Sequence, residues 1–376
     1  MSRDVYINGL GAFLPGPPVP SHDMETYLGL VGGKASRHRA LVLRQNKIVT
    51  RHYALDRDGT QLYTSAEMAA HALRAAAGTS EINLEDMSFL ATSSTLGDML
   101  VPGLASHVHA ELGLPPLEIA NFQSVCASSL MALKSAFLQI KSGEHDCSGV
   151  SGSEFASRYF RPGFYEGTTK ISQDGSLALE ADFLRFTLSD GAGAAVMEHR
   201  PNERSLSLRI KWITLKSFAD RFPVCMVAGA AASEQNSPVV WSQFNSPADA
   251  FRAGALMLVQ DFDLMKRMIP VWVAHYLELI DSDHIAIDQI DYVCSHYSSH
   301  SLREEAVSLL RHAGALIDES KWFSNLATKG NTGTASIFIM LEELCRTRAL
   351  KSGETILCHV PESGRALNGF MLLEVV

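Results

Sequence analysis

Short runs of apolar and β-branched residues alternate along this chain with longer stretches in which apolar residues return every three or four positions. Ser88-Phe-Leu-Ala-Thr, Leu117 to Phe122 and Ala192-Gly-Ala-Ala-Val-Met read as strands, the last entered from a glycine turn. The second half repeats the theme: Asp291-Tyr-Val-Cys predicts a strand, Thr334 to Leu350 a long helix, and Thr355-Ile-Leu-Cys-His-Val and Phe370 to Val376 two closing strands. Alternation of this kind predicts a layered α/β architecture. No linker rich in Pro, Gly or Ser divides the chain, and the polar run from His199 to Arg204 is the best candidate for a join, giving halves 1–200 and 201–376. The halves do not repeat at the level of sequence.

The segment Ile119-Ala-Asn-Phe-Gln-Ser-Val-Cys-Ala-Ser-Ser-Leu130 reads as a strand, a turn and then a helix, since Leu130, Leu133, Phe137 and Ile140 keep helical spacing until Gly143 supplies a stop. Cys126 then falls at or near a helix N-terminus, where the positive end of the helix dipole favours thiolate. Burial as a small hydrophobe is the competing reading. His296 follows the strand around Tyr292-Val-Cys and stands at its end, where layered α/β sheets present functional groups. An imidazole there is either structural or an acid-base group. Asn331 lies in Lys-Gly-Asn-Thr-Gly-Thr, a tight turn before a helix, where a cap is the ordinary role. Gly364, between the last two strands, by itself marks a turn.

Composition narrows the class. At 46% hydrophobic and 19% charged residues the chain is a compact enzyme or enzyme-like scaffold, and its net charge of −9 argues against nucleic acid. Six cysteines without paired spacing predict a reduced, cytoplasmic chain; the N-terminus lacks the order of a signal peptide, and no apolar run reaches the length of a membrane span. Charge is uneven, because Tyr27 to Leu55 holds no acidic residue but contains Lys34, Arg37, Arg39, Arg44, Lys47 and Arg51. That stretch is either a solvated face or a site for phosphates or an acidic carrier domain. His107, His109, His145 and Cys147 match no common zinc spacing, and no metal is expected.

Taken together, Gln-Ser-Val-Cys126-Ala-Ser-Ser, a histidine at a strand end and Gly-Asn331-Thr-Gly-Thr-Ala-Ser-Ile resemble the Cys-His-Asn set of the type III β-ketoacyl carrier-protein synthases of the thiolase superfamily. Arg44-Gln-Asn-Lys-Ile is similar to the family's Arg-Thr-Gly-Ile element, Gly152-Ser-Glu to its Gly-Ser-Asp/Glu turn, Ser189-Asp-Gly-Ala-Gly-Ala to its Gly-Asp-Gly-Ala-Gly-Ala run, and Glu362 to Gly369 to its last glycine-rich loop. The resemblance implies a thiolase-like αβαβα fold of two similar halves and an acyl-Cys126 intermediate. His296 and Asn331 would stabilise the enolate of the second substrate, and the N–H groups of Cys126 and Gly364 would form an oxyanion hole. It implies no cofactor beyond the phosphopantetheine of acyl carrier protein or coenzyme A that carries the substrates, no metal, and a homodimer.

Two departures refine that expectation. Tyr297-Ser-Ser-His-Ser replaces the family's Gln-Ala-Asn after the histidine, and the tryptophan expected before the Arg-Thr-Gly-Ile element is missing, which favours a carrier-protein thioester over coenzyme A. Arg37, Arg39 and Arg44 are then candidates for carrier binding. Ala181-Asp-Phe-Leu-Arg-Phe-Thr-Leu-Ser-Asp-Gly-Ala-Gly and the His-Tyr-Ser-Ser motif resemble ketosynthases that make cyclohexanediones on the way to dialkylresorcinols, joining a β-ketoacyl and an unsaturated acyl thioester. A fatty-acid-initiating synthase and a carrier-dependent acyltransferase on the same fold are the alternatives.

Overall fold

The computed structural model describes residues 3–172, 174–231 and 238–376. Its centre is a mixed sheet of ten strands: β1 (Tyr6–Phe13), β2 (Phe89–Ser94), β3 (Glu118–Gln123), β4 (Cys147–Glu154), β5 (Gly191–Glu198), β6 (Leu208–Ser217), β7 (Tyr292–Ser295), β8 (Trp322–Phe323), β9 (Thr355–Glu362) and β10 (Leu367–Val375). Their spatial order is β8-β7-β9-β10-β6-β1-β5-β4-β2-β3. Counted outward from the middle, each set of five runs first, fifth, fourth, second, third. In each set the inner pairings are antiparallel and the outer two parallel. The chain therefore contains the same topology twice, a duplication that the sequence does not display.

Among the described residues the strand pairing between the two half-sheets is confined to Tyr6↔Arg209 and Ile7↔Leu208 of β1 and β6. So short a seam lets the half-sheets sandwich two helices, α4 (Ser128–Ser142) and α7 (Ser336–Thr347), whose side chains form a single core with strand residues of both halves. Strand alternation makes this possible: Ile356, Cys358 and Val360 of β9 point into that core, while Leu357 points to the other face. On the outer faces lie α2 (Ser65–Gly78) and α3 (Leu104–Leu112) against the first half, and α5 (Phe262–Asp281) and α6 (His300–His312) against the second. The result is five layers, αβαβα.

Close approach sets the inner spacing. A Cβ at Gly11 of β1 would stand 2.2 Å from the Ala72 carbonyl oxygen, so α2 lies backbone to backbone on the strand. The expected helix over Thr334–Leu350 is shorter in the structure. It opens with a tight 3-10 turn at Gly333–Ala335 and stops at Thr347, because Arg348 is extended and the chain must reverse before β9. The twenty-residue α5, which carries Pro270 inside it, is apolar on one side only, with Leu264, Met265, Met268, Ile269, Trp272 and Tyr276 buried. Among the described residues no helix is long and apolar enough to cross a membrane.

Candidate active site

The parallel strands aim their carboxyl ends at one place. Thr95 follows β2, Cys126 lies three residues beyond β3, Glu154 ends β4, His296 follows β7 and Glu362 ends β9. This is where open α/β sheets place ligands, since the strand ends leave a crevice that loops can line. A cavity of ≈ 1410 Å³, part of it open to solvent, occupies the crevice and is lined by Cys126, His296 and Asn331 together with a largely apolar wall.

Polar tethers fix the three turns that bear those side chains. Ser128 Oγ lies 2.7 Å from Val125 O and 3.0 Å from Thr334 Oγ1, which ties the cysteine turn to the asparagine turn. Ser124 Oγ donates to Glu362 Oε1 at 2.7 Å and ties the same turn to the β9–β10 hairpin. Asn331 Oδ1 accepts the Gly333 N–H at 2.9 Å, and no hydrogen bond among the described residues engages its Nδ2, which is left to donate into the cavity. Gly333 has φ +52°, the left-handed conformation that this Asx-type turn requires. His296 is tied through its backbone N–H to His359 O at 2.8 Å, and neither ring nitrogen has a partner among the described residues. Burial lowers the His296 imidazole to about 4. A neutral ring facing the cavity is a hydrogen-bond donor or acceptor and a weak base.

Two expectations are corrected. Cys126 precedes the Ala127 cap of α4, but its thiol is not held as thiolate: burial, then the carboxyls of Glu362 and Glu154, push it well above the ordinary thiol value. The helix dipole is a partial charge. Here it is outweighed by desolvation and by the nearby carboxyls of Glu362 and Glu154. Loss of the thiol proton must accompany acyl transfer. The basic stretch is also not a free patch. Arg37 meets Asp174 at 3.6 Å, Arg39 meets Glu25 at 2.8 Å and Lys47 meets Glu304 at 3.3 Å. Arg51 is fully buried, donating to Phe186 O at 2.6 Å. Carboxylates outside the segment neutralise these three cations in space. Arg44 is exposed on α1 (Arg39–Asn46), and among the described residues it forms no ion pair. That helix packs beside the start of α6, where Ser299 Oγ donates to Gln45 O at 3.1 Å, so it borders the cavity wall formed by Ser298 and Leu302.

Gly364 stands where expected, in the β9–β10 turn against the cysteine turn. A Cβ there would approach Val125 Cγ2 to 2.9 Å. Among the described residues neither its N–H nor that of Cys126 meets an acceptor, so both can serve a developing oxyanion. The four residues weighed against zinc are not assembled: His145 bridges Ser88 Oγ and Glu118, whereas His109 faces the Leu114 and Pro115 carbonyls. Sequence reasoning missed Glu154, Glu362 and His359. His359 lines the cavity, stacks on Phe370 with ring centroids 4.3 Å apart, and bonds Ser295 Oγ and Asn368 Oδ1. Their signal was a polar residue at the end or in the middle of an otherwise buried strand.

Residues 280–370 match the family described as 3-oxoacyl-[acyl-carrier-protein (ACP)] synthase III C terminal. The β-ketoacyl-[acyl-carrier-protein] synthase III of Neisseria gonorrhoeae is 24% identical over 370 residues, covering 97% of this chain and 98% of that one. Over nearly its whole length the chain is similar to a β-ketoacyl-[acyl-carrier-protein] synthase III, and it has the thiolase fold. Among solved structures, the chain is similar to AbyA1, a tetronic acid condensing enzyme, with a TM-score of 0.77 and 21% identity over 98% of this chain and 99% of that one. It is also similar to a variant of Xanthomonas campestris OleA, with a TM-score of 0.73 and 20% identity over 99% and 98% of the two chains. The chain shares with them a fold; its site chemistry rests on its own residues.

Proposed function

We propose that this ketosynthase joins two acyl thioesters through an acyl-Cys126 intermediate, condensing a β-ketoacyl with an unsaturated acyl thioester into a cyclohexanedione precursor of a dialkylresorcinol. The observation that carries this reading is the convergence of Cys126, His296 and Asn331 on one cavity. Cys126 attacks the first thioester and the N–H groups of Cys126 and Gly364 receive the carbonyl oxygen as it becomes an oxyanion. His296, neutral, and Asn331 Nδ2 then hold the carbonyl oxygen of the second thioester as its enolate forms. The cavity is lined mostly by apolar side chains, which suits acyl chains.

The carrier is an acyl carrier protein, with Arg44, Arg37 and Arg39 at its approach; Arg44 is the strongest of the three because it has no carboxylate partner among the described residues. The molecule works as a homodimer in the cytoplasm. In support, β3 is a sheet edge whose Ile119 is exposed, and all six cysteines are free. Initiation of fatty-acid synthesis is the second reading, favoured by the synthase III named in Neisseria gonorrhoeae. Intact-mass analysis after exposure to a panel of acyl carrier thioesters, followed by product analysis with a β-ketoacyl or a malonyl partner, separates the two. A ring product from the β-ketoacyl partner supports the proposal. A linear β-ketoacyl product from malonyl alone replaces it with initiation, and acyl esters or amides replace it with acyl transfer.

A further inference from the structure

A β-ketoacyl donor differs chemically from a malonyl donor. Malonyl makes its enolate by losing carbon dioxide, whereas a β-ketoacyl thioester must surrender a proton from C2. The groups assigned so far are poor bases: Asn331 has none to offer, and the neutral His296 ring holds a proton weakly. One further cavity-lining side chain can take that proton. Glu154 is buried at 5% exposure, and its Oε1 accepts from Thr95 N at 3.1 Å, Thr95 Oγ1 at 2.7 Å and Thr334 N at 3.1 Å. No donor among the described residues takes Oε2, and the side chain lines the same cavity as Cys126, His296 and Asn331. A role confined to bracing Thr95 and Thr334 would use only Oε1. A glutamine would fill it without burying an ionisable group, which is costly.

We propose that Glu154 is the general base of the condensation, a role that rests on the β-ketoacyl reading of the substrate. Its carboxylate takes the C2 proton, and the C2 electron pair forms the new bond to the carbonyl carbon of acyl-Cys126. Collapse of the tetrahedral adduct breaks the C–Sγ bond, and the proton on Glu154 passes to the departing sulfur, which restores both groups. Burial raises the Glu154 carboxyl to about 7, with the hydrogen bonds and Arg158 opposing, so its proton affinity suits a base working near neutrality. The other titratable and charged groups on the elements around it are Cys126 before α4, His296 after β7, Glu362 at the end of β9, and Asp98, Arg158 and Tyr159 on adjoining loops.

The test is a single-turnover chase. Wild type, Glu154→Gln and Glu154→Asp are loaded with an unsaturated acyl group from its carrier thioester, loading is followed by intact mass, and the adduct is chased with a β-ketoacyl thioester from pH 5.5 to 8.5. Glutamine retains the Oε1 acceptor, so Glu154→Gln should load, while its chase slows by roughly 10²-fold or more. The wild-type chase should weaken on the acid side of about pH 7, a limb that Glu154→Gln lacks and Glu154→Asp retains. A Glu154→Gln chase at the wild-type rate, or loading and chase falling together, would overturn the assignment. A wild-type adduct that forms but is not consumed by the β-ketoacyl donor overturns the substrate reading itself, and the base role with it.

Discussion

His296→Asn should make the protein less sensitive to acid. In the folded protein burial holds the imidazole at about 4, against about 6.5 for an unperturbed histidine. As pH falls the unfolded chain binds the proton first, so stability present above pH 6.5 is lost as pH drops toward 4. At about 1.36 kcal/mol per unit of difference between the two states, the loss between pH 7 and pH 4.5 is about 2 kcal/mol, and the asparagine variant escapes it. Glu154 and Asp190, whose carboxyls burial pushes to about 7 and about 6, titrate in this range with the opposite sign, because the folded state binds their protons first. They do so in both proteins and drop out of the difference. The assay is urea unfolding of wild type and variant at pH 7.0, 6.0, 5.0 and 4.5, plotted as the difference in unfolding free energy. A difference that does not move between pH 7 and 4.5 would falsify the reasoning. It would mean that the folded ring titrates as it does in the unfolded chain, and would remove the argument that burial keeps it neutral below pH 6.5.

Cys126→Ala should abolish both the acyl adduct in intact-mass spectra and the condensation product; substantial product from the variant would remove the nucleophile assignment. Asn331→Ala should lower condensation by roughly 10²-fold while leaving an acyl adduct on Cys126, as for loss of one oxyanion-type donor, with loss of both in step arguing against the division of labour. Arg44→Glu should raise KM for carrier-bound substrate and spare a short synthetic thioester, an effect that should shrink at high salt; equal effects on both substrates would make Arg44 an ordinary surface residue. Arg51→Met removes the buried guanidinium's hydrogen bond to Phe186 O, which among the described residues keeps only the Asn46 Nδ2 donor at 3.0 Å, and should cost about 1–3 kcal/mol in unfolding free energy, with no change reserved for carrier-bound substrate.

Local order made much of the fold legible before any coordinates. Strand runs such as Ser88 to Thr92 and Tyr292 to Cys294 are apolar because they are buried between layers, and the strand-turn-helix reading around Cys126 follows from a change of period from two to about three and a half. His296 and Asn331 were legible as candidates because a histidine at a strand end and an asparagine between two glycines are local patterns. The charge of the Tyr27–Leu55 stretch was misleading for a physical reason. Asp174 and Glu304 lie far away in sequence and Glu25 just before the stretch, and only folding brings them to Arg37, Lys47 and Arg39.

The sequence by itself determined which segments could be strands and helices, where turns fell, and which side chains were chemically able to act, because these depend on neighbours a few residues apart. Tertiary structure alone decided the rest. It revealed the topological duplication, which backbone pairing preserves while side chains diverge. It set the charge states of the site, since desolvation and the carboxyls of Glu154 and Glu362 depend on what surrounds a group in space and override the helix-end effect at Cys126. It also brought Glu154 to the cavity by ending β4 beside the turns that carry Cys126 and Asn331, a proximity that no spacing along the chain encodes.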